Sequence, residues 1–338
     1  MSSIRWFTAV LCSGIASAQG WKVVPSGATI SMRGVSAVNS KVVWASGTSG
    51  TYLRTTDGGA TWRVVKVPGA EDLDFRDVEG VDGRTAYLLS SGPGDKSRIY
   101  KTTDGGTHWT LLFSNPDARG FLDAIAFWDA KRGIALGDPV DGQLVILTTG
   151  DGGAHWSRQH APAALAKEGA FAASGTCLIV RGRGEAWFGT GGPGAARVFH
   201  STDSGRTWNV TLTPIRNDSS SAGIFSLAFS DAAHGVAVGG DYSKPNDASR
   251  NIAVTADGGL TWSEPDGAHP GGYRSAVAFL PKLRLWIATG PSGSDVSSDG
   301  GRSWRPFDGG AFNAMSFGAG AAGWAVGPNG RLAVFQLH

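Results

Sequence analysis

Cysteine, net charge and long hydrophobic runs are all scarce in this chain. Two of its 338 residues are cysteine, and its 30 basic residues nearly balance its 28 acidic ones. This balance argues against a general nucleic-acid binder, whose surface would carry an excess of Lys and Arg. The apolar stretch at 6–15 is too short to span a bilayer as a helix.

Motifs of the common catalytic and cofactor sites are also absent. The sequence contains no His-Glu-x-x-His pair, no Walker phosphate loop and no Gly-x-Ser-x-Gly elbow. Its glycine-rich stretches at 182–185 and 189–192 are typical of strand turns, not of a strand-to-helix phosphate loop. We therefore expect no metal site and no cofactor.

The first eighteen residues have the pattern of a secretory signal peptide. Arg5 precedes the apolar stretch, and the small residues Ala16-Ser-Ala18 form a cleavage site. Cleavage after Ala18 leaves one cysteine, Cys177, so no internal disulfide is expected, and its apolar surroundings predict a buried thiol. We expect an exported monomer in the periplasm or outside the cell, without a transmembrane segment after cleavage.

One eight-residue motif occurs six times, at 55–62, 102–109, 149–156, 201–208, 255–262 and 297–304. It reads Ser/Thr-x-Asp-x-Gly-x-Thr/His/Ser-Trp, and successive aspartates are 47, 47, 52, 54 and 42 residues apart. A repeat of this period indicates stacked copies of one supersecondary unit. The aspartates are Asp57, Asp104, Asp151, Asp203, Asp257 and Asp299, and the tryptophans are Trp62, Trp109, Trp156, Trp208, Trp262 and Trp304.

The residue types of the motif predict a hairpin turn. Short β-like runs flank each copy, such as 52–54 before the first and 63–67 after it. Glycine supplies positive φ angles, and the Asp carboxylate accepts backbone N–H groups of its own turn. The Trp ring covers the turn and buries apolar area. We interpret the motif residues as structural, because six metal or acid–base sites would require the copies to converge in space.

The number of blades follows from a second pattern between the motifs, in which an apolar strand, a turn and another strand recur. After the last motif, three further strands are predicted before the chain ends. The fourth strand of this last unit is predicted at Trp21-Lys-Val-Val24, which begins with Trp as do the strands after the motifs. We predict an all-β fold, a single seven-bladed β-propeller of four-stranded blades over 19–338, closed by pairing of the N-terminal strand with the last blade.

The motif resembles the Asp box, also called the BNR repeat. In families with this box, it lies between the third and fourth strands of a propeller blade, away from the active face. With its seven blades and signal peptide, the chain resembles the photosystem II stability/assembly factor family. The resemblance implies a non-enzymatic binding protein that helps to assemble membrane complexes and carries an arginine-rich patch on one face.

Three arginines, Arg33, Arg76 and Arg274, occupy the second position of a predicted inner strand. Other blades have different residues there, including Leu122 and Asn313. Blade geometry predicts that the arginines surround the channel mouth opposite the motifs, where guanidinium groups suit carboxylate or phosphate recognition. The alternative is that each arginine is solvated or paired locally.

Long loops are predicted on the same face as the arginines. Binding residues are common on long loops of a rigid scaffold, and flexible decoration is the alternative. We expect a protein or polysaccharide ligand, and no nucleic acid. The candidate contacts in these loops are Asp138, Asp141, Asp241, Tyr242 and Lys244.

A secreted glycoside hydrolase is the alternative function, since Asp boxes also occur in sialidases and in xyloglucan-cleaving glycosidases. The segment Met32-Arg-Gly-Val35 lacks the Arg-Ile-Pro of sialidases. A glycosidase needs two carboxylates at a set separation, which the sequence does not specify. The candidates are Asp77, Glu79, Asp123 and Asp138.

Overall fold

Antiparallel β-strands build almost the whole of the computed structural model, which describes residues 19–318 and 323–337. The predicted signal peptide at 1–18 lies outside the described residues. The only helix in the described ranges is the 3-10 turn Gly94–Lys96, so no helix there is long enough to cross a bilayer.

The strands form seven sheets, each a blade of a seven-bladed β-propeller, which confirms the predicted fold. Blades are numbered from one to seven along the chain, and β1 belongs to the seventh. The strands are β1(Gln19–Val24); β2(Met32–Ala37), β3(Val43–Gly47), β4(Thr51–Thr55) and β5(Arg63–Lys66) in blade one; β6(Phe75–Gly80), β7(Ala86–Ser90), β8(Arg98–Thr102) and β9(Thr110–Ser114) in blade two; β10(Leu122–Phe127), β11(Gly133–Val140), β12(Gln143–Thr149) and β13(Ser157–Arg158) in blade three; β14(Leu178–Arg181), β15(Glu185–Gly189), β16(Arg197–Ser201) and β17(Asn209–Leu212) in blade four; β18(Ala222–Phe229), β19(Gly235–Asp241) and β20(Ile252–Thr255) in blade five; β21(Ala276–Leu280), β22(Leu285–Gly290), β23(Gly293–Ser297) and β24(Arg305–Asp308) in blade six; and β25(Ala314–Phe317), β26(Gly323–Val326) and β27(Leu332–Leu337) in blade seven.

The N-terminal strand closes the ring. β1 pairs with β27 along its whole length, from Gln19 opposite Leu337 to Val24 opposite Leu332. Trp21 is buried, and its indole N–H donates to Ser294 Oγ in blade six at 3.1 Å. The predicted closure is therefore confirmed: β1 completes blade seven as its outermost strand, and β27 is paired on both sides.

Blade five departs from the four-stranded pattern. Its fourth strand is reduced to one bridge, in which Val254 and Ser263 exchange both backbone hydrogen bonds. Pro265 follows two residues later and has no N–H to donate, so the ladder cannot continue past it in the usual way.

The hydrophobic cores lie between neighbouring blades. Trp44 and Tyr52 of blade one pack with Phe75 and Leu88 of blade two, and all four are buried. Comparable clusters fill the other junctions, since each blade has one apolar face for each neighbour. These apolar cores between the sheets join the seven blades into a ring.

Each motif forms a compact hydrogen-bonded turn. In the first copy, the hydroxyl of Thr55 donates to Asp57 Oδ1 at 2.7 Å and accepts the N–H of Gly59 at 3.0 Å. Asp57 in turn accepts the N–H and the hydroxyl of Thr61 at 3.0 and 2.6 Å. These bonds lower the pKa of Asp57 to about 2. In blades two and three, His108 and His155 replace this threonine and contact the same carboxylate oxygen.

The fourth and fifth residues of every motif have positive φ, but only the fifth is glycine in all six copies. Ser204, with φ +63°, stands at position four of the fourth copy. At position five, a Cβ would lie 2.2 to 3.2 Å from a side chain of the preceding blade. Those side chains are Trp324, Tyr52, Leu112, Ile134, Trp187 and Val236, beside Gly59, Gly106, Gly153, Gly205, Gly259 and Gly301 in that order.

Substitutions at two adjacent glycines of the last motif can distinguish the cost of backbone strain from the cost of disturbed packing between blades. Gly300 and Gly301 have φ of +82° and +83°, but a Cβ would meet nothing within 4 Å at Gly300 and Val236 Cγ2 at 2.6 Å at Gly301. We expect Gly300→Ala to cost about 1 kcal/mol of unfolding free energy and Gly301→Ala about 1–3 kcal/mol more. Equal losses in denaturant titrations would show that the contact between blades is unimportant.

Closure of the ring can be tested at Trp21. Its ring lies 5.3 to 6.4 Å from those of Phe307, Phe312, Phe317 and Phe335, so truncation would leave a cavity between two blades. We expect Trp21→Ala to lower the unfolding free energy by about 3–5 kcal/mol. Val23→Ala, at an exposed position of the same strand, should change it little. A Trp21→Ala loss no larger than that of Val23→Ala would contradict the proposed importance of closure.

Candidate functional site

The motifs and the predicted arginines lie at opposite ends of the blades. In blade one, Met32, Gly47 and Thr51 lie at one end of the sheet, because their strands pair in that register. Ala37, Val43 and Thr55 lie at the other end, where the motif begins. Arg33 is therefore near the end that faces away from the motif.

A cavity of about 430 Å³ opens at this end, and residues of all seven blades line it. A cavity shared by every blade lies on the axis of the ring, at the mouth of the central channel. The lining includes Arg33, Arg76, Phe121, Asp123, Asp138, Phe171, Phe225, Tyr242, Tyr273, Ser275, Pro291 and Asn313.

β-Bulges direct four of these side chains into the channel. In blades one, two, three and five, the pairing of the inner strand skips one residue near its start, and the skipped residue lines the cavity. Such a residue has no partner on the next strand, and the local kink changes the direction of its side chain. The four residues are Arg33, Arg76, Asp123 and Phe225.

Because of the bulge, the position that the sequence analysis assigned in blade three was wrong by one residue. It matched Leu122 with the arginines, whereas Leu122 is fully buried and Asp123 occupies the equivalent place. In the structure each bulged residue follows a fully buried apolar one, but the sequence alone does not mark it, because Leu122 itself follows the apolar Phe121. Those preceding residues are Met32, Phe75, Leu122 and Ile224.

Arg33 and Arg76 lie on either side of one carboxylate. Arg76 Nε donates to Asp74 Oδ2 at 2.7 Å, and Arg33 Nε is 3.8 Å from Asp74 Oδ1. Arg76 also donates to the carbonyl oxygen of Ala172 at 3.1 Å. Arg33 Nε is buried and makes no hydrogen bond to any residue of the described ranges. Two guanidinium groups thus share one counter-charge.

Arg274 does not join the other two arginines, which corrects the predicted triad. Its side chain is 2% exposed, and its guanidinium pairs with Asp295 at 2.6 Å. It donates further to the carbonyl of Tyr273 and to Ser292 Oγ. Blade six presents Tyr273 and Ser275 to the cavity, and alternation along the chain turns Arg274 between them away.

Two carboxyl groups of blade three also face the cavity. Asp138 accepts the N–H of Ala170 at 3.0 Å, and burial raises the pKa of Asp138 to about 6. Burial raises the pKa of Asp123 well above its usual value, and the neighbouring Asp138 adds to the rise. The two groups therefore form a carboxyl pair that is reluctant to ionise fully without a partner.

Aromatic rings make up one wall of the cavity. Phe171 stacks on Phe225 with ring centroids 3.9 Å apart, and Tyr273 packs edge-on against Phe225 at 4.7 Å. Tyr242 lies edge-on to Phe171 and Phe225 and is 53% exposed at the rim. Of these four residues, the sequence analysis singled out only Tyr242, because the other three come from distant loops and strands with no shared motif.

The remaining loop candidates lie outside the cavity lining. Asp241 is 1% exposed and accepts the N–H and the hydroxyl of Ser243, so it stabilises its own loop. Lys244 is exposed and lies 3.9 Å from Asp241. Asp141 pairs with Arg119 on the surface at 2.8 Å. The structure thus brings together Arg33, Arg76, Asp138 and Tyr242, but not Arg274, Asp241 or Lys244.

A second cavity, of about 310 Å³, lies further along the same inner strands, towards the motifs. Asp77 and Glu79 line it. Asp77 accepts the N–H groups of Val78 and Ile125, both at 2.8 Å, and burial still raises its pKa to about 6. Burial and the nearby Asp77 raise the pKa of Glu79 to about 8. Glu79 is partly exposed, so water in the channel reduces the penalty for its ionisation.

The pKa of Glu79 predicts how stability depends on pH. Between its usual value of 4.5 and about 8, the unfolded chain ionises this group while the folded chain keeps it protonated, so the wild type loses stability as pH rises. Glu79→Gln removes this loss. We expect its melting temperature, relative to the wild type, to rise when the pH is raised from about 4.5 to about 8.

The matched control is Glu71→Gln on the surface. Backbone N–H groups lower the pKa of Glu71, so its contribution to stability changes below its usual value of 4.5 and should stay nearly constant between about 4.5 and about 8. Parallel pH profiles for the Glu79→Gln variant and the wild type would contradict the raised pKa of Glu79.

Comparisons with known proteins find a relative in sequence and solved structures with the same fold. No protein-family model matches the chain. The photosystem II assembly lipoprotein Ycf48 of Synechococcus sp. (strain CC9902) is 24% identical over 301 residues, which cover 86% of this chain and 79% of that protein. The chain thus resembles photosystem II assembly factors in sequence.

Solved structures share the fold at lower identity. A structure of YCF48 bound to D1 peptide is 18% identical, with a TM-score of 0.66 over 94% of this chain and 97% of that one. YCF48 from Cyanidioschyzon merolae gives 18% identity and 0.64, over 94% and 98% of the two chains. A streptogramin B lyase, with 14% identity and a TM-score of 0.69 over 96% and 100%, shows that enzymes also use this fold.

Proposed function

We propose that this chain is an exported, non-enzymatic propeller that binds a segment of a protein partner in the 430 Å³ cavity opposite the motifs. The observation that carries the proposal is the pair of bulged arginines. Arg33 and Arg76 share the single carboxylate of Asp74, so the guanidinium donors that remain suit an anionic group of the partner.

The shape and composition of the cavity support a peptide ligand. It lies on the axis of a rigid ring, and it combines apolar aromatic walls with a few convergent charged groups. Backbone positions fixed by seven blades hold these groups in place before binding, which lowers the entropic cost of recognition.

The comparisons support the same class of function. The relative Ycf48 is named as an assembly lipoprotein, and one YCF48 structure contains a D1 peptide. For this chain we propose assembly of an exported or membrane-associated protein complex, with export directed by residues 1–18. We also propose that the six motifs are Asp boxes with a structural role.

A glycoside hydrolase is the second candidate, favoured by one observation. Asp123 and Asp138 line one cavity with raised pKa values, as an acid–base pair would. Turnover of sialosides or β-glucans that disappears in Asp123→Asn and in Asp138→Asn would establish this alternative in place of the non-enzymatic one.

The double variant Arg33→Ala/Arg76→Ala tests the binding proposal. The probe is a synthetic random-sequence peptide library with free termini, selected on the wild type and identified by mass spectrometry. We expect the selected peptides to bind the double variant about tenfold or more weakly, since each lost contact is a hydrogen bond to a charged group.

Arg63→Ala/Arg305→Ala is the matched control, since both residues are exposed on outer strands. It should bind the selected peptides as the wild type does. The proposal fails if the library yields no binder, or if the binders do not distinguish the Arg33→Ala/Arg76→Ala variant from the wild type.

A further inference from the structure

Asp123 is the least satisfied charged group in the cavity. It is 1% exposed, and neither of its carboxylate oxygens accepts a hydrogen bond of normal geometry within the described part of the chain. Buried carboxyl groups in folded proteins are almost always hydrogen-bonded or paired, because an isolated buried carboxylate is strongly unfavourable. Such a group, directed into a cavity by a β-bulge, points to a ligand that supplies the missing donors.

The arginines of the cavity do not satisfy Asp123. Arg76 directs its donors to Asp74 and to the carbonyl of Ala172, and Arg33 lies beside Asp74. Within residues 19–318 and 323–337, no Lys, Arg or His nitrogen lies within 4.0 Å of the Asp123 carboxylate. The arginines act on Asp123 only from a longer distance, where Arg76 partly offsets its negative charge.

Asp138 adds a second carboxyl group to the cavity lining beside Asp123. It lines the same cavity, and one of its oxygens accepts the N–H of Ala170. Asp138 is on β11, which pairs with the inner strand β10 that carries Asp123, and each of the two residues directly follows a member of the Leu122–Gly137 pair. The two side chains thus present adjacent carboxyl groups to one space.

The aromatic wall suits the same kind of ligand group. The Phe171–Phe225 stack, Tyr242 and Tyr273 form one wall of the cavity. Ring faces attract alkylammonium and guanidinium groups and also bury the methylene chain that carries them. An anion alone would supply no donor to the Asp123 carboxyl group, and a neutral apolar group would leave both of its oxygens unpaired.

We propose that Asp123 and Asp138 form a subsite for a cationic group, a primary ammonium or a guanidinium, on the partner segment. This inference rests on the proposed function, because it assigns a second pocket within the same cavity. The arginine side of the cavity takes an anion and the carboxyl side takes a cation. The recognised segment therefore carries opposite charges close together.

The experiment uses the same synthetic peptide library on the wild-type chain. We expect the selected peptides to contain a basic group that cannot be replaced. Where this group is the side chain of a Lys or Arg, exchanging that residue for norleucine, which keeps an alkyl chain and removes the charge, should weaken binding about tenfold. The cationic group could also be the free N-terminal amine of the peptide, and acetylation removes that charge. For a given peptide, either the norleucine exchange or the acetylation should weaken binding, but not both.

Asp123→Asn and Asp138→Asn test the two residues separately. Each should bind the Lys and norleucine peptides with nearly equal affinity while Arg33 and Arg76 still support binding. Asp266→Asn, a change of the same type at an exposed loop, should keep the wild-type preference for Lys. Melting temperatures check folding, and the comparison of Lys with norleucine on the wild type does not depend on any variant.

The outcomes separate this inference from the proposed function. If peptide binding depends on Arg33 and Arg76 but norleucine and acetylated peptides bind as well as the parents, the cationic subsite is wrong and the binding function stands. The same conclusion follows if Asp123→Asn and Asp138→Asn both keep the full preference for a basic group. If no peptide binds at all, the proposed function fails and the subsite fails with it.

Discussion

The contact between each motif and the blade before it is the constraint on which the rest of the structure depends. The fifth residue of the motif adopts positive φ and also lies against a side chain of the preceding blade, such as Tyr52 beside Gly106. The hydroxyl of Tyr52 donates to the carbonyl of Gly106, and Tyr87 does the same to Gly152. The motif is therefore both a turn within one blade and a joint between two. Six of the seven junctions repeat this geometry, and the seventh, between blades six and seven, is closed by Trp21 against Ser294.

The irregular positions in the strand pairing lie near the axis of the ring, where they determine which side chains line the cavity. In blades one, two, three and five, a β-bulge near the start of the inner strand leaves one residue without a partner on the next strand. In each case the residue released from pairing lines the same cavity, and two of the four are arginines and one is an aspartate. The scaffold thus presents side chains at the channel mouth without changing the strands that pack against neighbouring blades. Sequence variation at these few positions changes what the cavity can recognise, while the cores between blades stay as they are.

The cavity combines charges of both signs with a low exposure to water. Asp74 balances one of the two arginines, and Arg76 partly offsets the charge of Asp123 from a distance. Neither charge is fully compensated within the cavity, since in the described residues Arg33 Nε has no hydrogen-bond partner and neither oxygen of Asp123 accepts a hydrogen bond of normal geometry. Leaving donors and acceptors unsatisfied around one space costs stability. A ligand that carries both charges would recover that cost on binding, which is the physical basis of both proposals.

The repeat, the number of blades and the closure by Trp21–Val24 were predictable from the sequence, because the motif makes its hydrogen bonds within eight residues and recurs every 42 to 54 residues. The arginine triad was not, since Arg274 has the same place in the linear pattern as Arg33 but pairs with Asp295. The same holds for Phe171, Phe225 and Asp123, whose convergence depends on bulges and on loops from different blades. The sequence by itself determined the ring, as local turn chemistry repeats along the chain. Only the tertiary structure decided which side chains reach the axis, because that depends on strand register and on contacts between residues far apart in the chain.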